Sequence, residues 1–172
     1  MEEITIRQEN ENDFDTIYNL IKEAFKTAEH RDGNEQELVS KLRKSNNFIP
    51  ELSLVATING KIVGYILFTK IKIGKYEELA LAPLAVLPKY QKQGVGTKLI
   101  QEGHKIAKRL GYHYSIVLGS ENYYQKFGYL PASIYGIKPP FKVTSENFMA
   151  INLTNTDIKV NGIVEYAKEF DV

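Results

Sequence analysis

Leu84-Ala-Val-Leu-Pro-Lys-Tyr-Gln-Lys-Gln-Gly-Val-Gly-Thr97 sets the reading of the whole chain. An apolar strand ends at Leu87, a turn begins at Pro88, and a glycine-rich segment, Gln91 to Gly96, opens directly into an amphipathic helix. Glycines let the backbone approach a ligand closely, and the first turn of a helix carries N–H groups with no intrahelical partner. Those donors and the positive end of the helix dipole favour a phosphate or pyrophosphate. The stretch has the form of an anion cradle. Two common phosphate loops fail on spacing. A Walker loop needs Gly-x4-Gly-Lys-Ser/Thr, whereas Gly94-Val-Gly96-Thr-Lys98 puts the lysine after a threonine. A dinucleotide fingerprint needs a third glycine where this chain has Leu99. Two readings stay open: the pattern Gln/Arg-x-x-Gly-x-Gly/Ala, met by Gln91, Gly94 and Gly96, or a glycine-rich turn that merely stops a strand.

The length, 172 residues, suits one domain with a real core. A hydrophobic fraction of 43% and a charged fraction of 25% are those of an ordinary soluble globular chain. With a net charge of +1, nothing points to bulk nucleic-acid or anionic-membrane binding, and neither partner is expected. The absence of cysteine excludes disulfides, thiolate metal sites and a cysteine nucleophile. Met1-Glu-Glu-Ile-Thr-Ile-Arg7 is acidic and alternating, unlike a signal peptide. No apolar run approaches the ~20 residues of a membrane span. A cytoplasmic protein is the expectation.

Along the chain, Glu3 to Gln8 alternates as a first strand. Asn12 is read as the N-cap of a helix with Phe14, Ile17, Tyr18, Ile21 and Phe25 at helical spacing. A second helix, about Glu35 to Lys44, turns Leu38, Val39 and Leu42 inward. Leu52 to Ile58 and Lys61 to Lys70 flank Asn59-Gly60, a strong hairpin signal. The strand Leu79 to Leu87 is interrupted by Pro83, which belongs at an edge or at a bulge; a bulge would splay the strand from its neighbour. The helix opened by Gly94 carries Val95, Leu99, Ile100, Ile106, Ala107 and Leu110 on one face and stops at Gly111. Tyr112 to Leu118 is the next strand. Ser120 then caps a short helix, Glu121 to Phe127, ended by Gly128. Phe148 to Leu153 and Ile163 to Tyr166 read as late strands. Helices around a largely antiparallel sheet give one α/β domain over residues 1–172.

A second motif follows. In Asn122-Tyr-Tyr-Gln-Lys-Phe-Gly-Tyr-Leu-Pro-Ala132, the residues Tyr124, Lys126, Gly128 and Tyr129 stand in register with a Tyr-x-Lys/Arg-x-Gly-Phe pattern. With the loop at Gln91, Gly94 and Gly96, it resembles the GNAT (GCN5-related N-acetyltransferase) superfamily. Leu81-Ala-Pro-Leu-Ala-Val-Leu-Pro88, Val117-Leu-Gly119, Ala24-Phe25, Glu37-Leu38-Val39 and Leu42-Arg43 extend the likeness to its YhbS-like group, over nearly the whole chain. The resemblance implies a single-domain acyl-CoA N-acyltransferase fold: a mixed, mostly antiparallel sheet with its fourth and fifth strands splayed and helices flanking it.

It also implies roles. Leu84, Ala85 and Val86 would lend backbone N–H groups to the pantetheine and the thioester carbonyl of acetyl-CoA. Gln91, Lys92, Gln93, Gly94, Val95, Gly96 and Thr97 would hold the pyrophosphate. Tyr124 would protonate the departing thiolate; a phenol titrating near ~10 keeps its proton at neutral pH, while a thiol sits near ~8.5. Tyr123 and Tyr124 are ~100° apart on a helix, so that one can face the core and the other the cleft. Many family members place an asparagine about one turn before the tyrosine, but here Asn122 lies only two residues before it. Lys126 is expected on the solvent side.

The implied reaction is direct acyl transfer from acetyl-CoA to a primary amine, on a small molecule or a peptide, in a ternary complex with no metal. A metal site is not suggested either by His30, His104 and His113, which are scattered; His104 reads as solvated. No Gly-x-Ser-x-Gly elbow occurs. No general base stands out: Glu77 and Glu78 could start a water relay or form a solvated hairpin end, and His113 is a weaker candidate. Thr27 to Asn34 and Ile134 to Phe141 are expected to line the acceptor side. The rival reading is an acetyl-CoA-binding sensor without turnover, and the assembly is left as monomer or homodimer.

Overall fold

The structure, a computed structural model, describes residues 2–26 and 33–172. In chain order the elements are β1 (Ile4–Gln8), α1 (Phe14–Ala24), α2 (Glu35–Leu42), β2 (Phe48–Ile58), β3 (Lys61–Ile73), β4 (Tyr76–Val86), α3 (Val95–Arg109), β5 (Tyr114–Leu118), α4 (Glu121–Tyr124), β6 (Leu130–Pro131), β7 (Ile137–Lys138), β8 (Phe148–Asn152) and β9 (Gly162–Glu165). The sheet runs β1-β2-β3-β4-β5-β8-β6. All these neighbours are antiparallel except β4 and β5, which α3 joins as a parallel crossover. β9 pairs with β3 at Lys72 and Ile73, past the point where the pairing with β2 ends at Thr69.

Local chemistry accounts for most boundaries. Asn59 and Gly60 both take positive φ, 51° and 79°, as a two-residue hairpin turn with the right twist demands. The first helix starts differently from expectation. Glu11–Asp13 form a 3₁₀ turn, so the cap is Asn10 rather than Asn12: the Asn10 side chain accepts from the Asn12 N–H at 3.0 Å, and Asp13 accepts from the Asn10 N–H at 2.8 Å. Arg7 holds Asp13 in place by a fork of 2.7 and 3.1 Å. The second helix closes at Leu42, two residues short of Lys44; Val39 and Leu42 are buried while Leu38 is only half-buried. β5 begins at Tyr114, and the turn after Tyr124 tightens to 3₁₀ over Gln125–Phe127 before Gly128.

Of three hydrophobic clusters, one gathers Ile71, Tyr114, Ile116 and Phe148, and the other two lie on opposite faces of the sheet. One packs α3 against Leu54, Ile66, Phe68, Leu79 and Leu81, with Tyr123 and Tyr124 at its rim. The other packs α1 and α2 against Val55, Tyr65, Leu67 and Ala85. The change of face along β4 has a cause. Leu84 and Leu81 oppose Ile66 and Phe68, so β4 carries one extra residue at Ala82-Pro83, whose peptide is cis. Of the two placements open to Pro83, an edge or a bulge, the strand takes the bulge. Upstream of it Leu79 and Leu81 face α3; downstream Leu84 and Val86 do so, and Ala85 faces α1. β4 and β5 pair only at Leu79–Ser115 and Ala80–Ile116, and beyond this point they part. Among the described residues no helix is long and apolar enough to cross a membrane.

Candidate functional site

The gap between β4 and β5 opens onto unused backbone donors. Leu87 donates its N–H to the Val63 carbonyl at 3.0 Å, and strand alternation turns the Ala85 amide toward β3 as well. Leu84 and Val86 therefore point their N–H groups into the gap. The Val86 carbonyl is taken by the Gln91 side-chain amide at 3.2 Å, which ties the loop back to the strand.

The loop then prepares the helix. Pro88–Tyr90 is a 3₁₀ turn, and Gln93 folds its side chain onto the Lys89 carbonyl at 3.0 Å. Lys92 takes φ 62° and Gly94 φ 91°, both left-handed. For Gly94 that conformation is free; for Lys92 it costs about 1–2 kcal/mol. The first helical bond runs from the Lys98 N–H to the Gly94 carbonyl, and no side chain caps α3. The amides of Val95, Gly96 and Thr97 are thus left as donors at the positive end of a 15-residue helix. Lys89, Lys92 and Lys98 surround this end in the chain. A Cβ on Gly96 would meet the Tyr123 hydroxyl, so a larger residue there needs that side chain to move.

Tyr124 stands across the gap. Gly119, between β5 and the Ser120-capped α4, lets the Tyr124 ring sit where a Cβ would lie 2.5 Å from its Cε2. The ring meets Tyr123 edge-on at 5.0 Å and Tyr129 at 5.7 Å. Burial pushes the Tyr124 hydroxyl above the ordinary phenol value, with a smaller push from Tyr123, so that it keeps its proton at neutral pH. The two tyrosines divide as the helical offset requires: Tyr124 lines a cavity of about 350 Å³ at the splay, with Leu81 to Leu84 and Ile116 to Leu118, while Tyr123 lies over Gly96. Lys126 is exposed above the Tyr123 ring.

The strand that parts at the bulge thus leads directly to the glycine-opened helix. The model of the Acetyltransferase (GNAT) family matches residues 14–129. The chain belongs to the GNAT acetyltransferase family. It is 36% identical to the uncharacterized N-acetyltransferase YjhQ of Escherichia coli (strain K12), over 77% of this chain and 78% of that protein. The crystal structure of Escherichia coli YhbS in complex with CoA superposes with a TM-score of 0.88 at 28% identity, covering 100% of this chain and 94% of that one. A Brucella melitensis GNAT acetyltransferase in complex with acetyl-CoA gives 0.81 at 30% identity, over 99% and 100%.

In this GNAT member two polar residues differ from their sequence reading. His104 is not solvated but only 9% exposed, one turn after Ile100 on the buried stripe of α3. It is bonded to the Tyr129 hydroxyl at 3.0 Å, which is bonded in turn to Ser115 Oγ at 2.8 Å. Burial, helped by the Lys108 charge, pushes its pKa down to about 4, so the ring is neutral. Glu78 is not a solvated hairpin end. Because β4 begins at Tyr76, Glu78 falls inside the strand, 2% exposed, where one carboxylate oxygen accepts from the His113 and Tyr114 N–H groups at 2.9 and 3.0 Å. Burial raises its pKa against those bonds. Glu77 does point outward, 4.0 Å from Lys70. His113 Nδ1 is engaged by Thr154 Oγ1 at 2.7 Å.

Of the expected acceptor segments, residues 27–32 lie outside the described residues. Phe141 lines the cavity, whereas Ile134 opens onto a separate groove beside Tyr114. Tyr166, Phe170 and Val172 also line it, and sequence reasoning missed them. The Tyr166–Phe170 spacing is the only local sign. Among the described residues no three His, Asp or Glu side chains gather as a metal site.

Proposed function

We propose that residues 1–172 form one acetyl-CoA-dependent N-acetyltransferase domain acting on a primary amine by direct attack in a ternary complex. The observation that carries this reading is two sets of unused amides, Leu84 and Val86 in the gap and Val95, Gly96 and Thr97 at α3, with the Tyr124 ring lining the same cavity as Leu84. The α3 amides and Lys92 suit the pyrophosphate. The gap amides suit the pantetheine and, at the thioester, the oxyanion that forms when the amine nitrogen adds to the carbonyl carbon. When the C–S bond breaks, Tyr124 donates its hydroxyl proton to the leaving thiolate and regains one from solvent; the amine proton leaves to solvent. Holding amine and thioester together supplies much of the rate.

Thermal unfolding with acetyl-CoA, CoA, ATP or NAD, followed by release of free CoA thiol on adding amines, tests the reading. At ~100 times its dissociation constant a specific ligand adds ~2.7 kcal/mol, a shift of roughly 5–11 °C for this size. Stabilisation by the CoA species alone with amine-dependent thiol release is expected. Stabilisation without release for any amine would instead support a binding module, and no stabilisation by acetyl-CoA would end the transferase reading.

A further inference from the structure

Tyr123 and Tyr124 share one short helix, yet only Tyr124 has been given a part in the chemistry. Tyr124 lines the cavity at the splay, whereas Tyr123 is turned to α3. Its hydroxyl lies against Gly96, the second residue of α3, at the point where a Cβ on that glycine would be; the same point is 3.8 Å from Leu84 Cδ2. The hydroxyl thus falls between the two sets of unused amides, Val95 to Thr97 on one side and Leu84 with Val86 on the other. A ligand that engages both sets has to pass it.

The ring is held from three sides. Tyr124 meets it edge-on at 5.0 Å, Phe127 packs at 5.3 Å and 63°, and Lys126 Nζ lies over it, 5.5 Å from the centroid. A side chain fixed in this way loses little further freedom when a ligand binds it. Tyr123 is half-buried, and desolvation pushes its hydroxyl above the ordinary phenol value, so it carries its proton at neutral pH. Among the described residues no protein group is hydrogen-bonded to that hydroxyl. The fold presents a fixed donor and gives it no partner of its own.

We infer that Tyr123 is a further donor-binding residue, whose hydroxyl donates to a pyrophosphate oxygen of acetyl-CoA at the start of α3. This rests on the transferase reading above and deepens it. The neighbours select the pyrophosphate over the pantetheine arm. On the α3 side the hydroxyl adjoins the amides that suit an anion, and a bond to an anion is charge-assisted. On the strand side the nearest group is the apolar Leu84 side chain. Consecutive positions on one turn then serve the two ends of the same donor, Tyr123 the pyrophosphate and Tyr124 the thioester.

The test is calorimetric titration of CoA and 3′-dephospho-CoA into the wild type and Tyr123→Phe, with the ligand-free Tm of each protein and the thermal shift given by excess pantetheine, which has no phosphate. Phenylalanine keeps the ring and its packing, so the ligand-free Tm should stay within about 1 °C of the wild type, as for a change that breaks no protein contact. The dissociation constants of both CoA species should rise ~10-fold or more, as for loss of a hydrogen bond to a charged group. The pantetheine shift should be the same in both proteins. If the wild type binds CoA and Tyr123→Phe binds both species equally well, the inference is overturned while the donor site stands. A loss confined to CoA would put the hydroxyl on the 3′-phosphate, a loss shared by pantetheine would put it on the pantetheine arm, and a loss matched by a fall in ligand-free Tm would make Tyr123 a packing residue; each overturns it too. If the wild type does not bind CoA, the transferase reading fails and takes this inference with it.

Discussion

Gly119→Ala tests whether the position of the Tyr124 ring matters to the chemistry. Gly119 has no left-handed φ, so alanine is conformationally allowed and the perturbation is purely steric. The added Cβ would lie 2.5 Å from Cε2 and 3.0 Å from Cδ2 of Tyr124, against an ordinary contact of 3.4–4 Å. The ring must therefore retreat by about 0.9 Å, the difference between 3.4 and 2.5 Å. A misplacement of about 1 Å in a catalytic group costs up to ~100-fold, or about 2.7 kcal/mol at 1.36 kcal/mol per tenfold. We expect kcat to fall ~10- to 100-fold with the acetyl-CoA thermal shift retained, since the α3 amides are untouched. Overpacking should also cost about 1–3 kcal/mol of stability. Thiol release on Gly119→Ala, Tyr124→Phe and the double variant is the assay. If the effect runs through Tyr124, the double variant is no slower than Tyr124→Phe alone. Independent, multiplying losses would refute the reasoning, as would an unchanged kcat in Gly119→Ala.

Tyr124→Phe itself should lower kcat by ~100-fold or more with little change in acetyl-CoA affinity, as removal of a general acid does. Because burial raises the Tyr124 pKa, its loss of the proton should produce no alkaline limb in kcat below pH ~10; a limb near pH 8 that disappears in Tyr124→Phe would contradict the assignment. His104, held at about 4 when folded against an ordinary 6.5, binds its proton more readily unfolded, so its contribution to stability is present above pH 6.5 and is lost as pH falls toward 4. In denaturant titrations His104→Leu should flatten that acid slope, and should cost about 1–3 kcal/mol at pH 7 by stranding the Tyr129–Ser115 pair. Gln91→Ala releases the Val86 carbonyl and unties the loop; at ~0.5–1.5 kcal/mol for such a bond, acetyl-CoA affinity measured by calorimetry should weaken ~2- to 12-fold.

Features written in local chemistry were legible in the sequence. Asn59-Gly60 announces a turn because few other residues accept positive φ twice in succession, and Gly94 announces the start of α3 for the same reason. Pro83 announced a bulge or an edge because it lacks an N–H. What escaped was decided by distant partners. Glu78 reads as a solvated acid until the amides of His113 and Tyr114, 35 and 36 residues away, are brought to it. His104 reads as solvated because it falls on a mixed helix face, yet it is buried with Ile100, Gly103 and Ala107 along the same stripe. Asn10 displaced Asn12 because a 3₁₀ turn preceded the helix. Tyr166 lies just past the four-residue β9 and Phe170 ends a three-residue 3₁₀ turn, both too short for periodicity to reveal, and only tertiary packing carries them to the cavity.

The extra residue at Ala82-Pro83 can also be seen as a change of phase. A pleated strand repeats every two residues, and inserting one shifts everything after it by half a period. Both halves of β4 keep pairing with β3, one on each side of the shift, whereas only the first half also pairs with β5. The ribbon thus stays with one neighbour through the change of phase and parts from the other, and the sheet opens on the side where the pairing is given up.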